Sequence, residues 1–307
     1  MQLQDQRVLV TGAGGFIGRH ALAELGRLGA RISTLTRNPI GVSADVAQYH
    51  GDIRDAAFVS EAVGKSDPAF IFHLCAYKSR AGEIDQFAPA IETNLVGSLN
   101  LISAASRLKG LRSIVVVGTA EEYGRNPAPF IESMREQPVN AYSFSKLCLT
   151  QLSQLFSRGH GVPIAILRPT LAYGPGQKND MFLPALIGTL LKDEPFNMTA
   201  GKQTRDYIYV TDVVDAMIKA ASNPRARGEV LNIGSSRPVT MSELVLMVEK
   251  MAGRTGLVRA GALEYRAGEV MDYWVSNDKA RSLLDWAPLV PLEQGLAQTI
   301  AHYRDKH

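Results

Sequence analysis

The sequence predicts an α/β fold in which a doubly wound parallel sheet carries a smaller C-terminal lobe. The first half alternates short apolar runs with stretches of helical spacing, which is typical of a parallel sheet covered by helices on both faces. One apolar run leads directly into a glycine-rich segment at residues 11–18, which continues as a helix. With 307 residues, 46% of them hydrophobic, the chain can bury the core of one large domain or of a main domain and a lobe.

Each element of the first half is predicted from the spacing of its apolar residues. Short continuous apolar runs predict buried strands, and apolar residues at helical spacing, as between residues 91 and 102, predict helices. The predicted strands cover residues 7–11, 31–36, 70–75, 113–117 and 164–168. The predicted helices cover residues 17–28, the region 91–105 and the region 142–155.

The pattern changes after Pro169, where turn residues and shorter segments replace the regular alternation. Short extended segments are predicted at residues 206–210 and 230–233, and helices at 213–221 and 241–251. We therefore predict a Rossmann-type domain over residues 1–168, to which some later segments return, and a lobe formed mainly by residues 169–307.

Charge and cysteine content exclude several classes of protein. The net charge of +3 is too small to indicate the clustered Lys and Arg of a nucleic-acid-binding surface. Cys75 and Cys148 form no CxxC motif, so neither a disulfide framework nor a metal site is indicated. The N-terminus lacks the pattern of a signal peptide, and no apolar run approaches the roughly 20 residues of a membrane span. We expect a cytoplasmic protein with neither a nucleic-acid nor a membrane partner.

The glycine-rich segment predicts a pyrophosphate site. Gly12, Gly15 and Gly18 have the spacing GxxGxxG, which differs from the more common GxGxxG. Glycines allow a sharp turn and a close approach of the backbone to a ligand, and the following helix offers unpaired N–H groups at Phe16 and Ile17. The alternative is a glycine-rich turn that binds nothing.

The end of the second predicted strand distinguishes two nicotinamide cofactors. An acidic residue there binds the ribose 2′-hydroxyl of NAD, whereas an arginine accommodates the 2′-phosphate of NADP. This chain has Arg37 and no carboxylate at residues 34–38. NADP(H) is therefore favoured and NAD(H) remains possible, the alternative being that Arg37 is a solvated loop residue.

Tyr142 and Lys146 form a candidate acid/base pair. They lie four residues apart and hence on one face of a predicted helix. A nearby ammonium stabilises a phenolate and lowers the pKa of the tyrosine. Thr119, at the tip of the fourth predicted strand, is the candidate hydroxyl for binding the reacting oxygen; its alternative role is to stabilise the turn.

Several further segments resemble one family, the extended short-chain dehydrogenases/reductases that act on nucleotide sugars. TGAGGFIG at 11–18 is similar to the family's cofactor turn, and GDIRD at 51–55 is similar to its adenine-contacting segment. HLCA at 73–76 resembles its HLAA strand end, and Asn94 lies in its TN motif. YGPG at 173–176 and RDYIYV at 205–210 resemble two later motifs, so the resemblance covers nearly the whole chain.

The resemblance implies an NAD(P)-dependent enzyme in which Tyr142 is the acid/base, Lys146 holds the ribose and Thr119 polarises the oxygen at C4 of the sugar. Arg205 would contact the nucleotide pyrophosphate, with an ion pair to a neighbour such as Asp206 as the alternative. The candidate cofactor-binding residues are Gly12, Gly15, Phe16, Ile17, Gly18, Arg37, Asp52, Ile53, Leu74, Ala76, Tyr142 and Lys146. The candidate substrate-binding residues, in the C-terminal lobe and beside it, are Lys78, Thr119, Glu121, Asn179 and Arg205.

The family also implies an assembly. Two apolar helices, near residues 91–105 and 142–155, resemble those that form a four-helix bundle between two subunits. A homodimer is therefore expected, and burial of these helices inside the monomer is the competing explanation.

Residues 118–124, GTAEEYG, indicate the reaction. They are most similar to the GSSEEYG of GDP-4-keto-6-deoxy-mannose reductases, and together with Arg37 they favour an NADPH-dependent reductase of a 4-keto-6-deoxy nucleotide sugar, with Glu121 at the catalytic site. Family epimerases usually have small residues here, and TDP-glucose-type dehydratases have an Asp-Glu pair. A 4-epimerase and, next, a 4,6-dehydratase remain open, as does a non-enzymatic NADP(H)-sensing regulator. Glu121 and Glu122 could alternatively cap or solvate the turn.

One position departs from the family pattern. The family often has an asparagine in the motif RxFNxYG, whereas the segment RPTLAYG at 168–174 has Leu171 at that place. The loss of this polar contact implies that the sugar contacts differ from those of the reductases. The nucleotide base is not evident from residues 178–180.

Overall fold

A parallel sheet forms the centre of the structure, a computed structural model that describes residues 3–78, 84–266 and 268–305. The strands are β1 (Arg7–Thr11), β2 (Arg31–Thr36), β3 (Ala47–His50), β4 (Phe70–His73), β5 (Ser113–Val117), β6 (Ile164–Pro169), β7 (Leu171–Tyr173), β8 (Phe196–Met198), β9 (Thr204–Arg205), β10 (Tyr207–Tyr209), β11 (Val230–Ile233), β12 (Val239–Thr240), β13 (Val258–Ala260) and β14 (Asp272–Tyr273). The helices are α1 (Phe16–Arg27), α2 (Ala56–Ser66), α3 (Phe87–Ile91), α4 (Gly97–Ala105), α5 (Ala141–His160), α6 (Phe182–Leu191), α7 (Val210–Ser222), α8 (Met241–Ala252), α9 (Asp278–Leu284) and α10 (Leu292–Arg304).

The central sheet has seven strands within the described residues, in the order β11-β6-β5-β4-β1-β2-β3, and every pair is parallel. The chain winds from β1 to one edge through β2 and β3, and from β4 to the other edge through β5 and β6. The winding direction thus reverses between β1 and β4, which is where open parallel sheets bind ligands. The predicted α/β class and doubly wound sheet are confirmed.

Both faces of the sheet are buried, because alternate residues of each strand point to opposite sides. Val8 and Val10 of β1 join a core beneath α1 and α7, whereas Leu9 joins a second core beneath α2 and α4. Burial on both faces explains why the strands read as continuous apolar runs rather than as alternating patterns.

The structure corrects several predicted elements. The edge strand β3 was not predicted, because its four residues are all at least partly exposed and carry no apolar run. The strand predicted to reach residue 75 ends at His73, where the chain turns toward the site. The helix predicted around 91–105 is interrupted by one wide turn at Glu92–Val96, and the helix predicted from residue 213 begins at Val210.

After β6, strand β11 returns to the central sheet and α7 and α9 pack in its core, whereas β7, β10, α6, α8 and α10 surround a separate core in a second lobe. Strand β11 pairs with β6, with Val230 opposite Ile166. The lobe's core contains three mutually packed tyrosines, with the ring of Tyr173 edge-on to those of Tyr207 and Tyr209. Among the described residues, no helix combines the length and apolarity needed to cross a membrane.

Candidate active site

The glycine turn between β1 and α1 is a tight, backbone-lined cradle. Gly12 has φ +69°, and a Cβ built on it would lie 2.6 Å from the amide nitrogen of Cys75. A Cβ on Gly18 would lie 2.4 Å from the carbonyl oxygen of Gly12. Glycine is therefore required at both positions, since a side chain would collide with backbone atoms that cannot yield.

The start of α1 fits a pyrophosphate. Gly15 precedes the helix with no side-chain cap, and the first turn carries no acidic residue. The N–H groups of the first turn, including those of Phe16 and Ile17, thus lack side-chain capping and lie at the positive end of the helix dipole. The predicted phosphate-binding residues are brought together here.

A chain of hydrogen bonds fixes the end of β4 beside this turn. The amide of Cys75 donates to Thr11 Oγ1 (3.2 Å), which lies 2.7 Å from His73 Nδ1. His73 Nε2 lies 2.7 Å from Ser98 Oγ, and Ser98 Oγ donates to the carbonyl oxygen of Asn94 (2.6 Å).

Only one proton arrangement satisfies every member of this chain. Because Ser98 donates onward, it accepts a proton from His73 Nε2–H, and Nδ1 then accepts one from the hydroxyl of Thr11. His73 is therefore neutral, in agreement with burial and the nearby ammonium of Lys146, which together lower the pKa of His73 to about 3. The sequence identified His73 only as part of the HLCA motif and did not predict its role in fixing the site.

The other residues predicted to bind the cofactor follow β2, β3 and β4. Arg37 is exposed. Asp52 accepts two hydrogen bonds from the guanidinium of Arg54, Oδ1 from Nε (3.0 Å) and Oδ2 from Nη2 (2.8 Å), and a third from the Arg54 amide (2.9 Å). Arg54, and more weakly Arg37, lower the pKa of Asp52. Ile53 is buried against α4, where a Cβ on Gly97 would lie 2.6 Å from its Cγ2. Leu74 is partly buried and Ala76 exposed.

The predicted acid/base helix is α5. Asn140 caps it by accepting a hydrogen bond from the amide of Ser143, so the partly buried Tyr142 lies in the first turn. Lys146 is buried one turn later, and its Nζ donates to the carbonyl oxygen of Val117 at the end of β5 (2.6 Å). Burial lowers the pKa of Lys146 to about 8, against the opposing effect of the Glu122 carboxylate.

Thr119 lies two residues beyond that carbonyl, at the tip of β5 as predicted. Its side chain is buried and its Oγ1 accepts a hydrogen bond from the amide of Glu121 (3.2 Å). The hydroxyl therefore does stabilise the turn at Ala120–Tyr123, which was the alternative interpretation. Accepting this bond leaves the hydroxyl proton available as a donor, so the two roles are compatible.

Asn94 ties the acid/base helix to the loop after β4. It is buried in the wide helical turn Glu92–Val96, and its Nδ2 donates to Ser145 Oγ (2.8 Å) and to the carbonyl of Tyr77 (2.9 Å). Its Oδ1 accepts from the amide of Tyr77 (2.6 Å). Wide turns of this kind are frequent at functional sites, because the extra residue redirects a side chain.

The two adjacent glutamates have different environments. Glu121 is partly exposed, whereas Glu122 is completely buried and accepts hydrogen bonds from Thr119 N (2.9 Å) and Arg168 Nε (2.8 Å). For Glu122 the capping interpretation is therefore correct. A buried arginine at the end of an apolar strand was the available sequence signal for this pair, and it was not used.

The predicted substrate residues are dispersed. The guanidinium of Arg205 pairs with Glu269 and donates to the carbonyl of Val270 (2.9 Å). Its alternative partner was wrong, because Asp206 is buried and accepts instead from the amides of Ser235 and Ser236. Lys78 and Asn179 lie near the start of α6. Lys78 Nζ is 3.6 Å from Met181 Sδ, and exposed Asn179 approaches Gly188.

Leu171, the residue in place of the family's asparagine, is partly buried in β7. It packs against two apolar clusters, one around the tyrosines of the lobe and one that includes Ala120. The position is thus part of an apolar wall that extends to the tip of β5. Within the described residues, no group of three or more His, Cys, Asp or Glu side chains is arranged to hold a metal ion.

Comparisons with known proteins agree with this architecture. Residues 8–234 match the model of the NAD dependent epimerase/dehydratase family. An uncharacterized UDP-glucose epimerase of Bacillus subtilis is 28% identical, over 96% of this chain and 97% of that protein. The UDP-glucose 4-epimerase of Thermotoga maritima, solved with UDP-glucose, has a TM-score of 0.91 at 27% identity, covering 97% of this chain and 99% of its own. MoeE5, solved with UDP-glucuronic acid and NAD, has a TM-score of 0.89 at 29% identity, covering 98% and 99%.

The comparisons confirm the predicted enzyme class but not the predicted reaction or cofactor preference. The predicted enzyme class, an NAD(P)-dependent oxidoreductase of the extended short-chain dehydrogenase type, is confirmed by the family match. The names of the relatives describe epimerases or complexes with UDP-sugars, and one carries NAD. The reductase subtype and the preference for NADP(H) stay predictions.

Proposed function

The chain belongs to the NAD-dependent epimerase/dehydratase family, and from this premise we propose that it is a nucleotide-sugar 4-epimerase with a bound NAD(P). The observation that carries the proposal is the buried ammonium of Lys146, which lies one helical turn from Tyr142. It donates a hydrogen bond to the carbonyl of Val117, two residues before Thr119. These groups are the acid/base, its electrostatic activator and the hydroxyl donor that oxidation of a sugar alcohol requires.

Each residue of this group has one task. A bound nicotinamide would supply the hydride acceptor and donor for the sugar carbon. Tyr142 accepts the proton of the C4 hydroxyl and gives it back, and the ammonium of Lys146 stabilises the phenolate form. The hydroxyl of Thr119 donates a hydrogen bond to the same oxygen. Inversion at C4 requires that the 4-keto sugar present its opposite face before reduction.

The cradle of Gly12, Gly15 and Gly18 supports cofactor binding, since its backbone fits a pyrophosphate and no side chain fills it. Lys146 would also hold the ribose. Arg205 is proposed to leave Glu269 and bind the nucleotide pyrophosphate, for which a planar guanidinium is well suited. Residues 169–307 are proposed to form most of the sugar-nucleotide lobe, with Lys78, Glu121 and Asn179 facing the substrate.

Epimerisation is preferred to net reduction for two reasons. The three relatives described above are UDP-sugar epimerases or were solved with UDP-sugars. In addition, Glu122 is buried against Arg168, so half of the twin-glutamate signature that favoured a reductase is a scaffold feature rather than a substrate contact.

A second candidate is the NADPH-dependent reductase of a 4-keto-6-deoxy nucleotide sugar. Arg37 favours it, because this arginine is exposed after β2 and no carboxylate occurs among residues 34–38. A net reductase consumes its cofactor, whereas an epimerase returns the hydride to the same sugar. The two candidates therefore differ in stoichiometry.

The test is an assay with two arms. UDP-glucose, UDP-galactose and UDP-glucuronic acid are incubated with catalytic NAD, and products are separated by chromatography; a C4 epimer without net NADH supports the epimerase. A panel of 4-keto-6-deoxy sugar nucleotides is incubated with NADPH, and stoichiometric loss of nicotinamide absorbance would replace it with the reductase. Turnover in neither arm would overturn both.

The role of Tyr142 is checked in the active arm. We expect Tyr142→Phe to lower turnover by about 100-fold or more, the scale of a lost acid/base group, with cofactor affinity retained. Tyr209→Phe is the control, because its hydroxyl bonds Gln298 in the distant lobe. Near-normal turnover of Tyr142→Phe would contradict the assignment.

A homodimer is part of the proposal. Leu99 of α4 is 37% exposed, and Phe144 and Leu155 of α5 are 38% and 61% exposed, so apolar side chains remain uncovered on the two helices predicted to form a four-helix bundle. We expect light scattering to give a dimer mass, and Leu99→Asp with Leu155→Asp to give a monomer. A monomeric wild-type protein at micromolar concentration would contradict it.

A further inference from the structure

Glu122 lies directly behind the reacting groups, where a solvent-exposed residue would be the ordinary expectation for a glutamate. Its carboxylate accepts from Thr119 N (2.9 Å) and Thr150 Oγ1 (2.8 Å) as well as from Arg168 Nε (2.8 Å). A Cβ on Gly118 would lie 2.6 Å from Glu122 Oε1. The sequence thus keeps a glycine where this carboxylate approaches the strand.

The carboxylate is held from its far side by a second layer. Arg168 is fully buried, bonds both Glu122 and Glu136 (2.7 Å each), and stacks over the ring of Tyr123 at 4.6 Å. Tyr123 in turn donates to Asn232 Oδ1 on β11 (2.8 Å). The position of Glu122 is therefore defined by β6, α5 and, through Tyr123, β11, and not by its own turn alone.

The charges that face Lys146 single out Glu122. His73 is neutral, because both ring nitrogens are engaged and its pKa is about 3. Burial raises the pKa of Cys75, so its thiol is protonated at neutral pH. Tyr142, one helical turn before Lys146, takes up and releases a proton in the proposed reaction and is therefore not a fixed charge. Of the ionised carboxylates in the described part of the chain, Glu122 is the one that acts to keep Lys146 protonated.

We propose that Glu122 is a positioning residue, which fixes the main chain of Thr119 and supplies the buried counter-charge of Lys146. The inference rests on the proposed roles of Thr119 and Lys146, but the charge state of Lys146 exists without substrate. Glu122 and Lys146 are both buried, and Glu122 accepts a hydrogen bond from Thr150, which lies one helical turn after Lys146 on α5. Water therefore screens their interaction weakly, so removing the carboxylate changes the ammonium directly.

The experiment compares two isosteric variants, each of which removes one carboxylate partner of Arg168. Glu136→Gln and Glu122→Gln both remove a carboxylate that pairs with Arg168, but only Glu122 also contacts Thr119 and acts on Lys146. The titration of Lys146 is followed by NMR of the free protein labelled at lysine Cε, with the signal assigned from Lys146→Met. We expect Glu122→Gln to lower the midpoint by about 1 pH unit and Glu136→Gln to leave it unchanged.

The pH dependence of kcat/KM gives the second readout. We expect the alkaline limb, where Lys146 loses its proton, to move down with Glu122→Gln and to stay in place with Glu136→Gln. Equal losses of thermal stability with unchanged titration and unchanged limbs would mean that Glu122 is only structural, and would overturn the proposal. If no substrate is turned over, the NMR titration still decides, which separates this inference from the proposed function.

A second variant is needed in case Glu122→Gln does not fold. Removing one member of a buried ion pair leaves the other unpaired, which is strongly destabilising, whereas replacing both is often tolerated. Glu122→Gln with Arg168→Gln removes the pair together. A downward shift of the Lys146 midpoint is expected here too, and an unchanged midpoint would again overturn the proposal.

Discussion

The proposed cofactor side of the site, at the glycine turn, and its proposed substrate side, at Arg205, are held in different ways. On the cofactor side, the turn at Gly12 packs against the residues that follow β4. Buried hydrogen bonds through His73 hold this segment in one conformation. On the substrate side, Arg205 binds Glu269 and carbonyls of its own lobe. The first side is formed by backbone atoms in a fixed arrangement. The second depends on side-chain ion pairs, whose partners a ligand can replace.

The largest effect is expected from Gly12→Ala, which tests whether the cofactor side is rigid. The new Cβ meets Cys75 N at 2.6 Å and the residue must keep φ +69°, so we expect a loss of about 2 kcal/mol or more in unfolding free energy. Cofactor affinity should fall by about tenfold or more, measured by calorimetry. Gly26→Ala is the control: nothing lies within 4 Å in α1, and a gain of about 0.5–1 kcal/mol is expected.

A smaller effect with the opposite sign is expected from Lys146→Met. The pKa of this lysine falls from 10.5 to about 8 on folding, so below pH 8 the native state carries the full penalty of a buried charge. Removing it, and one hydrogen bond, should raise the unfolding free energy at pH 7 by about 2 kcal/mol while abolishing turnover.

The sign of the pH dependence follows from proton binding. Between pH 8 and 10.5 the unfolded chain binds more protons at Lys146 than the native state, so wild-type stability gains on that of the variant as pH rises. Denaturant unfolding across this range measures the narrowing difference. Lys65→Met, at an exposed helix position, should show no such narrowing. A difference between Lys146→Met and wild type that stays constant with pH would contradict the buried charge.

The smallest effect is expected on the substrate side. If Arg205 must leave Glu269 to bind a pyrophosphate, Glu269→Gln weakens the competing contact and should tighten UDP binding by about fivefold, or about 1 kcal/mol. Arg205→Met should weaken it by a similar factor, and neither variant should change cofactor affinity. Weaker UDP binding in Glu269→Gln would mean that the pair is part of the finished site, as on the cofactor side.

The sequence predicted the glycine turn and the helix that carries Tyr142 and Lys146, because both signals are local. Gly15 and Gly18 approach the carbonyl oxygen of Gly12 within the same turn, and a four-residue spacing places Tyr142 and Lys146 on one helix face. The contact that requires glycine at Gly12 is not local, because it involves the backbone of Cys75. The edge strand β3 escaped prediction, since its partly exposed residues carry no apolar pattern. The wide turn at Glu92–Val96 escaped it too, because its helical spacing differs from an ordinary helix by a single residue.

By itself the sequence determined the sheet, its winding and the placement of Tyr142 and Lys146 one turn apart on a helix, all of which depend on short-range spacing and on burial patterns. Only the tertiary structure decided which charged residues form ion pairs inside the protein. Glu122 meets Arg168 from 46 positions away, and Arg205 meets Glu269 from 64. Their partners are chosen by how the strands of the sheet and the lobe fold against each other, because a charge that is removed from water must find whatever opposite charge the fold brings to it.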